Sequence, residues 1–239
     1  MPLYHDRGVV LRTHKLGEAD RIVSFLTRDH GKVRAVAKGV RKTKSRFGGR
    51  LEPPSHVQLL FYEGRGELDI VSQAETIDHF RPLRDDLDRL AQAVSMLEAA
   101  DQLALERHAN RALYDMLVGA LRTLADQDAP LVVPGFFLKA LALEGFRPQV
   151  DGCVACGSPG PLVSWALEEG GLRCAAHRQG PALSQDAVVV LQDMLGGRLG
   201  SALNERRPQV VSEVDHLVVR ALETHLERRL RSVNALHRG

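Results

Sequence analysis

The spacing of the apolar residues changes near residue 80, and this change constrains the fold more than any other feature of the sequence. Before it, short segments rich in β-formers are separated by turn residues such as Gly64-Arg65-Gly66. The predicted strands are residues 4–14, 20–28, 31–40, 56–62 and 67–72. Five short strands within about 80 residues predict a small closed or nearly closed barrel rather than a βαβ sheet.

After Pro82 the apolar residues recur every three or four positions, which is the period of an amphipathic helix. The predicted helices span residues 83–97, 111–125, 134–144, 184–195 and 212–230. The sequence therefore predicts an α+β protein, with a barrel domain at residues 1–79 and a helical domain at residues 80–239. An insertion rich in Gly and Pro, at about residues 148–181, interrupts the helical domain and looks too polar to pack on its own.

Residues 31–50 carry eight cationic side chains and no Asp or Glu. The cations are Lys32, Arg34, Lys38, Arg41, Lys42, Lys44, Arg46 and Arg50. In the predicted strand, Lys32, Arg34 and Lys38 share one parity, and the small apolar Val33, Ala35 and Ala37 take the other. Period two places the two sets on opposite faces. Beyond Gly39 the alternation stops, so a cationic loop should follow the strand.

This charge is concentrated rather than spread over the chain. The first 50 residues hold 13 Lys and Arg against four Asp and Glu, whereas the net charge of all 239 residues is +2. A basic strand that runs into a basic loop suits a polyanion, and single-stranded nucleic acid is the favoured ligand. The alternative is a solvated basic hairpin with no ligand.

Two pairs of soft metal ligands lie in the insertion. Cys153 and Cys156 are separated by two residues, and so are Cys174 and His177, with 17 residues between the pairs. This spacing matches a zinc ribbon and predicts one structural Zn²⁺ per chain. Four protein ligands would leave no open position for catalysis. The rival interpretation is a redox CxxC, although no βα context accompanies it.

The sequence contains no motif for covalent catalysis, and we expect the protein not to be an enzyme. The phosphate loop GxxxxGK[ST], HExxH and GxSxG are all absent. Glu18 and Asp20 could bind Mg²⁺ in a nuclease, but two carboxylates in a turn more often act as a cap. No signal peptide and no apolar run of about 20 residues is present, which predicts a cytoplasmic protein without membrane contact.

Several short motifs resemble the RecO family of bacterial DNA repair proteins, in collinear order over almost the whole chain. In the first half these are residues 17–23 (GEADRIV), 27–28 (TR), 31–32 (GK), 37–42 (AKGVRK) and 45–46 (SR). In the second half they are residues 83–87 (LRDDL), 145–148 (GFRP), 153–157 (CVACG) and 170–174 (GGLRC). His177 departs from relatives with a fourth Cys, but imidazole is an equally good zinc ligand.

The resemblance implies an OB-fold barrel followed by a helical domain that carries the zinc-binding insertion. It implies a recombination mediator that binds single- and double-stranded DNA and anneals complementary strands. The implied partners are RecR, the C-terminal tail of the single-strand-binding protein and, indirectly, RecA, at the nucleoid. The expected nucleic-acid-binding residues are Lys32, Arg34, Lys38, Arg41, Lys42, Lys44 and Arg46, with metal ligands Cys153, Cys156, Cys174 and His177.

Three alternatives remain open at the level of sequence. An OB-fold RNA-binding or translation-associated protein with a zinc ribbon would show a similar pattern. Phe47 could stack on a base or cap the barrel core. A second basic cluster near the C-terminus could bind DNA or an acidic protein tail, or only complement the helix dipole. That cluster contains Arg228, Arg229, Arg231 and Arg238.

Overall fold

The computed structural model of the protein describes residues 2–232, which form two compact units. The first unit extends to Asp126 and includes Arg231 and Ser232, and the second is Gln127–Leu230. The predicted division after residue 79 marks the change from strands to helices. The compact units divide later, because the first three helices belong to the unit that contains the barrel.

Five strands of the first unit close into a barrel, as the sequence predicted. They are β1 (Leu3–Leu16), β2 (Asp20–Thr27), β3 (Gly31–Ala37), β4 (His56–Tyr62) and β5 (Asp69–Asp78). The strand order is β1-β2-β3-β5-β4, and β4 pairs back onto β1. This order and the closed form are those of an OB-fold. β5 begins two residues later and ends six residues later than predicted.

The barrel closes through a short parallel contact between β3 and β5. Their register pairs Ala35 with Asp69 and Val36 with Ile70. The first half of β3 bonds instead to the connection between the second and third helices. The backbone N–H of Lys32 donates to the carbonyl of Leu105 at 3.1 Å, and that of Arg107 donates to the carbonyl of Lys32 at 3.0 Å. This connection thus covers the edge of β3 that β5 leaves open.

A buried carboxylate lies at this closure. The side chain of Asp69 accepts hydrogen bonds from the backbone N–H of Gly64 at 2.9 Å and from the guanidinium of Arg107 at 2.8 Å. The hydroxyl of Tyr4 donates to the same carboxylate. Burial alone would raise the pKa of Asp69, but these hydrogen bonds hold it below its usual value.

The alternation in β3 has the predicted result. Val33, Ala35 and Ala37 are buried in the barrel core, whereas Lys32 and Arg34 lie on the outer face. The strand ends at Ala37 rather than residue 40, so Lys38 already belongs to the loop. The core also contains Val10, Val23, Phe25, Phe47, Leu51, Val57, Leu59, Phe61 and Val71.

Three helices complete the described part of the first unit. They are α1 (Arg81–Arg84), α2 (Leu87–Leu103) and α3 (Arg111–Asp126). The predicted helix at residues 83–97 is broken because Asp86 caps a new N-terminus. Its side chain accepts a hydrogen bond from the backbone N–H of Arg89 at 3.0 Å, which satisfies a donor of the first turn.

The second unit contains four helices and a two-stranded sheet. The elements are α4 (Val132–Leu143), β6 (Leu162–Ala166), β7 (Gly171–Cys174), α5 (Gln185–Leu195), α6 (Leu199–Leu203) and α7 (Pro208–His225). Ser184 caps α5 at the predicted start of this helix, since its hydroxyl accepts from the backbone N–H of Ala187. α7 starts at Pro208 rather than 212, because proline suits the first turn of a helix, and it ends before Glu227, where φ is +49°.

The polar insertion is better packed than the sequence suggested. Trp165 and Leu172 are fully buried. The backbone of other segments also pairs with both edges of this two-stranded sheet. Gln149 bonds to β7, and residues 181–183 bond to β6. Apolar residues at alternate positions of β6 and β7 are too few to be a strong sequence signal, which explains the difference.

In residues 2–232, no helix combines the length and the apolar character that crossing a membrane requires.

A buried histidine in the first unit makes its stability depend on pH. His56 Nε2 lies 2.6 Å from the hydroxyl of Tyr114, and both side chains are buried. Burial lowers the pKa of His56 from its ordinary 6.5 to about 4, because the charged form cannot be hydrated there. The imidazole is therefore neutral in the folded protein at pH 7.

We expect replacement of His56 by Gln to remove part of the acid sensitivity of folding. The unfolded chain takes up a proton at His56 near pH 6.5, whereas the folded chain does so only near pH 4. The stability that the neutral histidine gives is complete above pH 6.5 and is lost as the pH falls towards 4. Between pH 7.5 and 4.5 the difference in unfolding free energy between wild type and variant should change by about 2–3 kcal/mol. If the difference in unfolding free energy between wild type and variant stayed constant over this range, the lowered pKa of His56 would be contradicted.

Candidate nucleic-acid interface and metal centre

The seven predicted nucleic-acid-binding residues lie on two neighbouring parts of the barrel. Lys32 and Arg34 are half-buried on the outer face of β3. The other five belong to the connection between β3 and β4, and we call residues 38–50 the cationic loop. Its exposed basic side chains are Lys38, Arg41, Lys42, Lys44 and Arg46.

The first part of the cationic loop is fastened to the turn between β1 and β2. The carboxylate of Asp20 accepts a hydrogen bond from the backbone N–H of Gly39 at 2.7 Å. The backbone N–H of Arg41 donates to the carbonyl of Ala19 at 3.0 Å, and its guanidinium donates to the carbonyl of Glu18 at 2.8 Å. The Asp20 contact favours the cap interpretation for that carboxylate over a Mg²⁺ site, whereas Glu18 takes part through its backbone carbonyl.

The far end of the loop is anchored in the barrel core. Phe47 and Leu51 are each 1% exposed, and a short 3₁₀ turn at Gly48–Leu51 lies between them. The guanidinium of Arg46 lies over the Phe47 ring, 4.8 Å from its centre. Phe47 therefore caps the barrel rather than offering a surface for base stacking. The buried Phe61 is likewise a core residue.

Most of the loop cations have no carboxylate partner. Lys38, Lys42, Lys44 and Arg46 form no ion pair with any residue in 2–232, and Arg41 donates to backbone carbonyls. Their charge is therefore uncompensated locally, and a polyanion can approach it. A loop held at both ends presents these charges from one defined surface.

Lys32 and Arg34 differ from the loop cations because acidic residues face them. Lys32 Nζ donates to the backbone carbonyl of Asp101 at 2.7 Å and lies 3.8 Å from its carboxylate. Arg34 contacts Glu67 at 2.7 Å and Glu106 at 3.2 Å. The charge of both β3 cations is thus balanced within the first unit.

One further cation belongs beside the loop, although sequence reasoning did not include it. Lys15 is exposed near the end of β1, and the register pairs it with Arg21 of β2. Arg21 in turn pairs with Ala37, the residue before Lys38. Only the strand register reveals this row. The acidic partners Glu67 and Glu106 had no sequence signal either, since neither lies near β3 in the chain.

The second basic cluster is described in part. Arg228 and Arg229 are exposed beyond the end of α7. Arg231 belongs to the first unit, where its backbone N–H donates to the carboxylate of Glu98 at 3.0 Å. Arg238 lies outside the described residues. A role for this cluster in DNA binding stays a prediction.

The predicted metal ligands come together in the second unit. Ligand atoms of Cys153, Cys156, Cys174 and His177 all lie within 4.8 Å of one another. The sulfur atoms of Cys156 and Cys174 are 3.9 Å apart, and Cys174 Sγ is 3.4 Å from His177 Nδ1. For a tetrahedral ion with metal–sulfur bonds of about 2.3 Å, the expected edges are about 3.8 Å for S–S and about 3.5 Å for S–N.

The backbone holds the first pair of ligands in a tight turn. The N–H of Gly157 donates to the carbonyl of Cys153 at 2.7 Å, with φ of +73° at Gly157, and Val154 donates to Leu172 of β7 at 2.9 Å. A hydrogen bond from the backbone of Cys174 lowers the pKa of Cys153 to about 6. The thiolate, the form that binds metal, is thus favoured at Cys153, and the distances between the ligand atoms allow the four residues to hold one metal ion.

Comparison with known proteins agrees with this architecture along the whole chain. The family model described as Recombination protein O N terminal matches residues 1–80, and that described as Recombination protein O C terminal matches residues 84–234. The chain belongs to the RecO family of DNA repair proteins. The resemblance noted in the sequence is therefore confirmed.

Two relatives are similar to this chain over its full length. The DNA repair protein RecO of Bifidobacterium adolescentis is 45% identical over 246 residues, covering 99% of this chain and 100% of the relative. The DNA repair protein RecO of Frankia casuarinae is also 45% identical over 246 residues, covering 100% of both chains. Family membership thus rests on full-length similarity rather than on the barrel or the metal ligands alone.

We expect Phe47→Ala to destabilise the first unit strongly. Removing a fully buried phenylalanine costs about 3–5 kcal/mol, because transfer energy is lost and a cavity remains. The matched control is Phe146→Ala in the second unit, where the ring is 62% exposed; its expected effect is below about 1 kcal/mol. Denaturant unfolding of both variants measures the difference. Equal, small effects would mean that Phe47 does not anchor the cationic loop.

Proposed function

We propose that the protein is a DNA repair mediator that binds single- and double-stranded DNA without sequence preference and anneals complementary strands. The observation that carries the proposal is the cationic loop, whose exposed charges lack carboxylate partners in the described residues and project from an OB-fold barrel. OB-folds commonly bind single-stranded nucleic acid in a basic groove. Membership of a DNA repair family makes DNA the expected polyanion.

Annealing requires two polyanions to approach each other, and phosphate repulsion opposes this. Lys38, Lys42 and Lys44 would neutralise phosphates and release condensed counterions, which lowers the repulsion without reading base sequence. Arg41 and Arg46 would contribute in the same way, although part of each side chain also supports the loop. Lys32 and Arg34 would contact DNA only if phosphates displaced their acidic partners, which are Asp101 for Lys32 and Glu67 and Glu106 for Arg34.

The wider role follows from family membership and is part of the proposal. We propose that the protein acts with RecR to help RecA load on DNA coated by the single-strand-binding protein, whose C-terminal tail it contacts. This work would take place in the cytoplasm at the nucleoid. The proposal assigns no catalytic step to the chain, in keeping with the lack of a catalytic motif in its sequence.

We further propose that the four-residue cluster binds one structural Zn²⁺. Three thiolates and one imidazole form a soft donor set that suits zinc, and the distances between the ligand atoms fit the edges of a tetrahedron. With all four positions filled by Cys153, Cys156, Cys174 and His177, the ion would hold the insertion together. It would give no open site for water.

Replacing Lys38, Lys42 and Lys44 by Ala should weaken binding to unrelated single-stranded DNA sequences equally. Each phosphate contact that is lost reduces the slope of log K against log salt by about 0.7. If all three residues contact phosphates, the slope flattens by about 2 and affinity at 0.1 M salt falls about 100-fold. Arg41 is left in place because its side chain fastens the loop. Fluorescence anisotropy across a salt series measures both quantities.

The matched control removes the same charge from helices of the first unit. Arg81, Arg111 and Arg122 are exposed there, and their joint replacement by Ala should change the salt slope by less than about 0.5. Annealing of complementary oligonucleotides, with and without single-strand-binding protein, should slow in the loop variant and not in the control. Equal binding by wild type and the loop variant would remove the cationic loop from the mechanism.

The zinc proposal predicts about one zinc ion per chain in protein purified without added metal. Metal analysis, combined with a chromophoric chelator that reports release by a thiol reagent, measures the stoichiometry. His177→Ala should lower retention and Tm, since structural zinc in small domains contributes roughly 10–16 kcal/mol to folding. The control His79→Ala removes an exposed imidazole in the first unit and should change neither. A folded wild-type protein without metal would contradict the proposal.

A further inference from the structure

Arg34 is held between two carboxylates that come from different segments of the first unit. Glu67 belongs to the connection between β4 and β5 and lies 2.7 Å from the Arg34 guanidinium. Glu106 belongs to the connection between α2 and α3 and lies 3.2 Å away. The Arg34 side chain is 29% exposed, whereas those of Glu67 and Glu106 are 82% and 47% exposed.

This ion-pair cluster lies where an OB-fold receives its ligand. Oligonucleotides bind OB-folds across strands β2 and β3 and along the connection between β4 and β5. Arg34 is on the outer face of β3, and Glu67 is in that connection. A guanidinium binds carboxylates and phosphates in the same planar geometry, so the two anions compete for one site.

We infer that Glu67 and Glu106 act as substitutes for phosphate on Arg34, and that a nucleic-acid strand must displace them to use this residue. The inference rests on the proposed function, because it concerns the same DNA-binding face. It assigns the two glutamates a role in setting affinity. In the wild type they withhold one cation from a bound strand, and a phosphate gains that cation only where both carboxylates are displaced.

The exposure of the partners makes the exchange feasible. Ion pairs between exposed side chains contribute little to stability, so breaking them costs little once a phosphate replaces the carboxylates. Lys32 provides the contrast, since its side chain and that of Asp101 are each 14% exposed and its Nζ also donates to the Asp101 carbonyl. Arg34 is therefore the releasable cation of β3, and Lys32 remains a structural one.

The test is the double variant Glu67→Gln/Glu106→Gln, with a single-stranded oligonucleotide of about 20 nucleotides as the probe. We expect binding at 0.1 M salt to tighten about 5-fold and the salt slope to steepen by about 0.7, since one more phosphate contact is available. Arg34→Ala in the wild-type background should leave the slope unchanged. The same substitution in the double-Gln background should remove the gain in slope, which shows that the gain acts through Arg34.

The control for net charge is Glu75→Gln/Asp115→Asn, which removes two exposed carboxylates from elsewhere in the first unit. It should tighten binding less than 2-fold and leave the slope unchanged. A Tm within a few degrees of wild type for both double variants shows that the barrel is intact. If the double-Gln variant behaves like this control, or if its gain survives Arg34→Ala, the inference is wrong.

The same measurements separate this inference from the proposed function. Replacing Lys38, Lys42 and Lys44 can weaken binding while the double-Gln variant matches its control. That result supports the DNA-binding proposal and contradicts the role of the glutamates. If the loop substitutions leave binding unchanged, the proposed binding face itself is wrong. A steeper slope in the double-Gln variant together with weaker binding in the loop variant supports both.

Discussion

The buried carboxylate of Asp69 is the interaction on which the barrel depends. It lies at the two-residue contact that joins β5 to β3, and it accepts hydrogen bonds from Tyr4, Gly64 and Arg107. These donors belong to β1, the β4–β5 connection and the connection that covers β3. A buried charge that lost a partner would be costly, so one side chain fixes three segments around the barrel seam. The positions of β3 and of its outer cations follow from this seam.

The protein uses its basic residues in two distinct ways. The cationic loop keeps its charges away from carboxylates in the described residues, whereas the cations of β3 are balanced by Asp101, Glu67 and Glu106. An even distribution of the same charges would give a weaker field at any one place. Concentration on one loop, with the balanced charge of Arg34 beside it, suits the proposed binding of long nucleic acid without base readout.

Sequence periodicity was sufficient for the barrel, most helices and the metal ligands, because each depends on local spacing. The alternation around Val33 and the two-residue gaps between the cysteines are such signals. The ion pairs of Arg34 depend on contacts between segments distant in sequence, which spacing does not encode. The start of α7 at Pro208 was missed because a proline in the first turn overrode the apolar pattern, and the break at Asp86 was missed because this residue caps a new helix. Phe47 was ambiguous, since an aromatic residue in a basic loop suits both stacking and burial.

The two fastened ends of the cationic loop have a consequence for how quickly and how tightly a strand can be captured. Phe47 and Leu51 are buried, and Gly39 and Arg41 are bonded to the preceding turn, before any ligand arrives. The conformational entropy of the loop backbone is therefore lost during folding and not during the encounter. In the proposed binding, a strand would then require only the ordering of a few lysine side chains and the release of counterions, because the loop backbone is already ordered.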